Sequence, residues 1–171
     1  QLEKKIKKDI EKKYLIMNNN YINIYNNLVE LTRNKDLYQN FDKQDTFSDR
    51  LIFFLLHFAF FLKVFKTDND KKVLQEIYDY IFRQLELSIR EIGYGDQSIN
   101  KKMKDYLNLL YGIVDKIHQW EDEPLRTKVS ILQSFVENRD NAPYLANYFE
   151  KYRLNLLNNT LNFYIKGVIK T

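Results

Sequence analysis

The sequence contains no cysteine, which excludes a disulfide framework and thiol chemistry and fits a reducing compartment. Without thiolates, a zinc or iron–sulfur centre has little to be built from. Only 4 of the 171 residues are Gly and 2 are Pro. That leaves little material for turns and favours a few long helices over many short strands. No segment alternates apolar and polar residues between turn signals, as a half-buried strand would. Histidine is also scarce. His57 and His118 stand far apart and form no HExxH-type spacing. No set of acid, base and nucleophile can be named, so an enzyme ranks behind a binding function.

No apolar run is long enough to cross a bilayer. The longest, Leu51 to Leu62, is apolar except for His57, and a span takes ~20 such residues. A surface helix shows one apolar stripe, but this stretch is apolar all round and must be covered on every side. It is the expected central helix. Thr46 or Ser48 is positioned to cap it, and Asp49 falls in its first turn, where negative charge suits the helix dipole. His57, in the most apolar stretch of the chain, is expected to be neutral, buried and bonded to a backbone carbonyl. His118 is expected at the surface.

What is abundant is apolar and aromatic residue: 44% hydrophobic, 15% aromatic. A chain of this length can bury one sizeable core as a single domain. The net charge of +4 is concentrated at one end. Residues 1–17 hold six Lys against Glu3, Asp9 and Glu11. Leu2, Ile6, Ile10 and Tyr14 recur every four residues among them, as on a narrow amphipathic helix. The expected organisation is therefore a basic arm, 1–17, ahead of a helical domain, 18–171. The arm reads either as a solvated, lightly packed helix or as a contact for anionic lipid or ribosomal RNA.

Along the chain, Asn18–Asn20 are expected to break the first helix. Tyr21, Ile24, Tyr25, Leu28 and Leu31 form the next stripe, and Leu37, Tyr38 and Phe41 dock on the core from a polar connection. After Asp70 a helix carries Ile77, Ile81, Leu85, Ile89 and Ile92 inward and stops at Gly93. Ser98 is expected to cap a helix with Ile99, Met103, Leu107, Leu110 and Val114 inward. Gly112 inside it suggests a close helix crossing. Asp122 and Pro124 open a further helix carrying Leu125, Val129 and Leu132, and Asn141 and Pro143 open another with Tyr144, Phe149 and Tyr152 inward. A last helix is expected over about 159–170. Gly93-Tyr94-Gly95 follows a helix rather than a strand, so it does not read as a phosphate loop.

Two segments exceed what folding needs. One is Asp45-Thr46-Phe47 leading to Leu56-His57. The other is Arg90-Glu91-Ile92-Gly93-Tyr94-Gly95-Asp96-Gln97-Ser98, followed by Lys101-Lys102-Met103 and then Tyr111-Gly112. Together they resemble the ubiquinol–cytochrome c chaperone family, over about 21–165. Two positions, Gln97 and Ile113, depart from the family pattern of Leu and Arg.

The resemblance implies an all-α, non-enzymatic assembly factor without a cofactor, a single-domain bundle of about seven to eight helices around the buried apolar one. It would receive newly made cytochrome b, with a small helical partner, near the ribosomal exit. The site would be the matrix face of the mitochondrial inner membrane, or a bacterial cytoplasm. The partner groove is expected near the Gly93–Ser98 turn. Arg90, Asp96 and Lys101 would be its rim, Gly93, Gly95 and Gly112 would shape the backbone, and Ser98 and Tyr111 would lie beside them. Asp45, Thr46, Phe47 and His57 would be structural. The competing reading makes Asp96 and Ser98 turn and cap residues and Arg90 an internal ion-pair partner.

Overall fold

A computed structural model describes residues 1–39, 47–67, 70–136 and 139–169, with the side chains of 13–20 and 139 outside that description. Its α-helices are α1 (Leu2–Thr32), α2 (Phe47–Phe65), α3 (Lys71–Ile92), α4 (Asp96–Lys116), α5 (Leu125–Gln133), α6 (Ala142–Leu156) and α7 (Leu161–Lys166). Short 3-10 turns cover Lys35–Tyr38, Trp120–Asp122 and Arg139–Asn141. Among the described residues there is no strand. The all-α expectation holds.

The centre is α2, as its sequence requires. Phe53 to Phe61 are buried without interruption. Each fully covered large apolar side chain contributes ~1.5–3 kcal/mol. The cover comes from α1, α4 and α6. On α1 the covering stripe is Tyr21, Ile24 and Leu28. From the connection, Leu37 is fully buried and Tyr38 meets Phe53 edge-on at 5.1 Å. Asp49 lies in the first turn of α2, as expected. Asp45, Thr46 and Phe41 lie outside the described residues; Phe47 opens α2 and is exposed.

Several local expectations are corrected. Asn18–Asn20 do not end a helix, because α1 runs through them for 31 residues. Asn costs a helix only a few tenths of a kcal/mol against a good former, and elongation is cooperative once both flanks are helical. Ser98 is not a cap. α4 begins at Asp96 with Gly95 as its N-cap, so Ser98 sits inside the first turn. Asp122 belongs to a 3-10 turn, and Pro124 occupies the N-cap of α5. Ile92, Leu125 and Tyr144 face solvent, each near a helix end where the core has fallen away. The last helix stops at Lys166, four residues short, where Gly167 leaves the helical conformation.

Gly93 does end α3 at a φ of 101°, a conformation that an L side chain rarely adopts. Gly112 marks no close crossing: a Cβ built there would meet nothing within 4 Å.

The C-terminal segment is held by asparagines that the stripe analysis passes over. Asn23 Nδ2 donates to Gly167 O at 2.6 Å, and Asn27 Nδ2 donates to the same oxygen at 2.9 Å. Trp120, the single tryptophan, is fully buried against Phe60, and its indole N–H donates to Glu150 at 2.6 Å. Arg153 also pairs with Glu150, at 2.7 Å, and Lys128 lies 3.6 Å from it. Arg153 foremost, and then the indole, hold that carboxyl below its ordinary pKa against the opposing effect of burial.

Candidate functional site

The α3 helix packs on α1 and, more sparsely, on α4. The chain reverses at Gly93, so α3 and α4 run antiparallel from that turn and leave an open trough between them. Two cavities mark it. One, of about 580 Å³, has Tyr80, Arg83 and Leu87 on its α3 side and Met103, Lys104 and Leu107 on its α4 side. The other, of about 600 Å³, has Leu74, Tyr78, Leu110, Tyr111 and Val114 on its walls.

A single helical stripe joins them. Asn100, Met103, Lys104 and Leu107 line the first, and Leu110, Tyr111 and Val114 line the second. These positions recur at three- and four-residue steps, which keeps them on one face of α4. From Asn100 to Val114 that face extends roughly 20 Å at 1.5 Å per residue.

The two cavities differ at the rim: Asp79 and Glu86 stand with Arg83 and Lys104 around the first, and the charged side chains of the second are all lysines. In the second cavity the apolar residues are edged by Lys63, Lys66 and Lys71. Lys63 is already engaged, at 2.8 Å from Glu121 and 2.8 Å from the carbonyl of His118. Lys66 and Lys71 have no ion pair among the described residues, so their charge is available to an incoming group. Tyr111 is 58% exposed, and its hydroxyl is fixed 2.9 Å from that of Tyr78. Burial, then the bond to Tyr111, pushes the Tyr78 hydroxyl well above its ordinary pKa, so it stays protonated. On the first cavity, the buried Tyr80 hydroxyl has no hydrogen-bond partner among the described residues. A buried polar atom left unpaired in this way is uncommon.

The sequence-predicted site residues divide. Tyr111 lines the trough. Arg90, Gly93, Gly95, Asp96, Ser98 and Lys101 cluster at the turn that closes its end, and none of them lines either cavity. Arg90 is committed internally, with Nη1 2.7 Å from Asp96 and Nη2 3.0 Å from Glu86. Those two carboxylates, Asp96 first, raise its pKa. Lys102 lies over the exposed Tyr94 ring at 4.5 Å. Gly112 neighbours Tyr111 on α4 without lining a cavity. The α3 side of the trough was missed because Tyr78 and Leu74 share their helical face with true core positions.

His57 is a support for the fold. Its Nδ1 lies 2.6 Å from Phe53 O and its Nε2 2.7 Å from the Tyr148 hydroxyl. A carbonyl only accepts, so Nδ1 carries the proton and Nε2 accepts from Tyr148. Full burial lowers its pKa to about 4. His118 is exposed, as expected. Among the described residues, no group of three or more His, Asp or Glu side chains could hold a metal ion, and no helix is long and apolar enough to cross a membrane.

The family described as ubiquinol-cytochrome C chaperone matches residues 39–139, which include α2 to α5 and therefore both walls of the trough. No curated protein matches the sequence. The crystal structure of the Cbp3 homolog from Brucella abortus shares this fold, with a TM-score of 0.74 over 97% of each chain at 24% identity.

Proposed function

We propose, from the premise that this chain belongs to the ubiquinol–cytochrome c chaperone family, that it is a non-enzymatic assembly factor holding newly made cytochrome b. The α3–α4 trough is where an apolar helix of that client rests. The carrying observation is the α4 face from Asn100 to Val114, on which the half-buried Met103, Leu107 and Val114 and the exposed Tyr111 line the two cavities. An amphipathic or apolar helix laid in a groove is a recurring mode of recognition, anchored at three- and four-residue steps. The trough supplies anchoring positions at that spacing. The rim lysines Lys66 and Lys71 favour a client helix flanked by acidic groups. The proposal also includes a small helical partner and a setting beside the ribosomal exit on the matrix face of the inner membrane. A bacterial cytoplasm is the alternative setting.

Site-specific photocrosslinking tests the site. A photoreactive residue at Leu107 or Tyr111 should give an adduct with nascent cytochrome b in membranes that are synthesising it. The same probe at Leu154, exposed on α6, should give none. Leu107→Asp with Val114→Asp should lower client capture at least about tenfold, as removal of central apolar anchors does. If Arg90→Ala lowers capture and the Asp pair does not, the turn rather than the trough is the site.

A further inference from the structure

The arm has a surface of its own. Residues 2–12 are helical and all exposed, and the apolar stripe along them is bare: Leu2 is 72%, Ile6 51% and Ile10 48% exposed. A lightly packed arm in water would leave this stripe bare for no gain. Around it stand five lysines, Lys4, Lys5, Lys7, Lys8 and Lys12, against Glu3, Asp9 and Glu11. On a helical projection, at about 100° per residue, Glu3 and Asp9 border the stripe, Lys5 and Lys12 lie beyond Asp9 on one side and Lys7 beyond Glu3 on the other, and Lys4 and Lys8 lie opposite. Lysine stems flanking an apolar stripe can extend sideways, keeping their ammonium groups in a headgroup layer while the stripe sinks into it. Arg83 of α3 lines both the shallow concavity under Ile6 and Ile10 and the first cavity of the trough, so the stripe borders the trough.

We propose that α1, through Leu2, Ile6, Ile10 and the lysines around them, docks on an anionic lipid surface and presents the trough at the membrane. Charge complementarity selects the lipid: the excess of lysine over Glu3, Asp9 and Glu11 is attracted to an anionic leaflet, and the apolar stripe adds burial at the acyl boundary. An RNA contact would use the same lysines but has no use for three exposed aliphatic side chains. This surface is independent of the client reading, because it is tested with vesicles that contain no protein.

The test is co-flotation of the full chain with phosphatidylcholine vesicles, with and without about one third phosphatidylglycerol. Binding should require the anionic lipid and weaken several-fold in half-molar salt, as screening shortens the reach of exposed charges. Ile6→Glu with Ile10→Glu should abolish flotation while leaving the circular dichroism spectrum and thermal transition unchanged, since both side chains are exposed. Ile6→Ala with Ile10→Ala, which adds no charge, should weaken it partially. Flotation that persists in the Glu pair overturns the proposal, as does equal binding to neutral vesicles. So does binding of an RNA oligonucleotide by both the wild type and the Glu pair with no flotation by either.

Discussion

At the scale of single residues, two glycines on neighbouring helices have opposite requirements. Gly93 holds a φ of 101°, and a side chain there is strained even though nothing crowds it. Gly112 is helical with open space where a Cβ would go. Thermal melts should therefore show Gly112→Ala stabilising by about 0.5–1 kcal/mol and Gly93→Ala destabilising by about 1 kcal/mol. His57 makes a pH prediction. Its pKa falls from 6.5 to about 4 on folding. Above 6.5 both states hold it neutral, and its stabilisation is fully present. Between 6.5 and about 4 the unfolded chain takes a proton that the folded chain refuses, so stability falls with pH, by at most roughly 3 kcal/mol. Denaturant melts should show His57→Gln losing less stability than the wild type across that interval, although it starts lower. Both histidine assignments were legible in the sequence, because a His inside an unbroken apolar run has only backbone and nearby hydroxyls to bond. The Tyr148 partner was not, since it arrives from 91 residues away.

At the scale of elements, the continuity of α1 is the main departure from expectation. A run of three asparagines reads as a break, but the helix carries through it and brings the arm out as a continuation of α1. Asn19→Pro would remove one backbone donor and clash with the preceding turn, at ~3 kcal/mol in a helix interior. The arm beyond it is exposed over residues 1–12 and can fray without uncovering the core. Circular dichroism should therefore lose helical signal equivalent to the arm. The unfolding transition followed by Trp120 fluorescence should move little, because that ring sits among α2 and α6 residues. A large shift of the Trp120 transition would mean that the arm is integral to the core. Helix ends were the least legible feature. Gly93 is marked in the sequence by residue chemistry, while Thr160, whose Oγ1 accepts from Phe163 N, was not read as a cap. Ser98 and Asp122 carry cap chemistry that the fold leaves unused.

At the scale of the molecule, the trough and the arm stripe are separate surfaces sharing Arg83 as a border. The paired expectation is a double dissociation. The Leu107→Asp and Val114→Asp variant should lose the client and keep the vesicles. The Ile6→Glu and Ile10→Glu variant should lose protein-free vesicles and still form the Tyr111 adduct when client is supplied in detergent. A single variant that loses both with its fold intact would indicate one combined surface.

The sequence alone determined the helical class, the central place of α2, the burial of His57, the stop at Gly93 and the family. All but the family follow from residue type and spacing within one segment: an all-round apolar run must be enclosed, and a glycine after a helical stripe ends it; the family rests on a resemblance carried by two separate motifs. The tertiary structure decided where the trough lies. Whether Leu74, Tyr78, Leu107 and Val114 are core or groove depends on how far α3 stands from α4. That separation is set by α3 leaning on α1, a contact between segments about 55 residues apart, as in the Tyr21–Glu76 hydrogen bond. A periodic stripe records that a face is apolar, and only the packed neighbours determine whether it is covered.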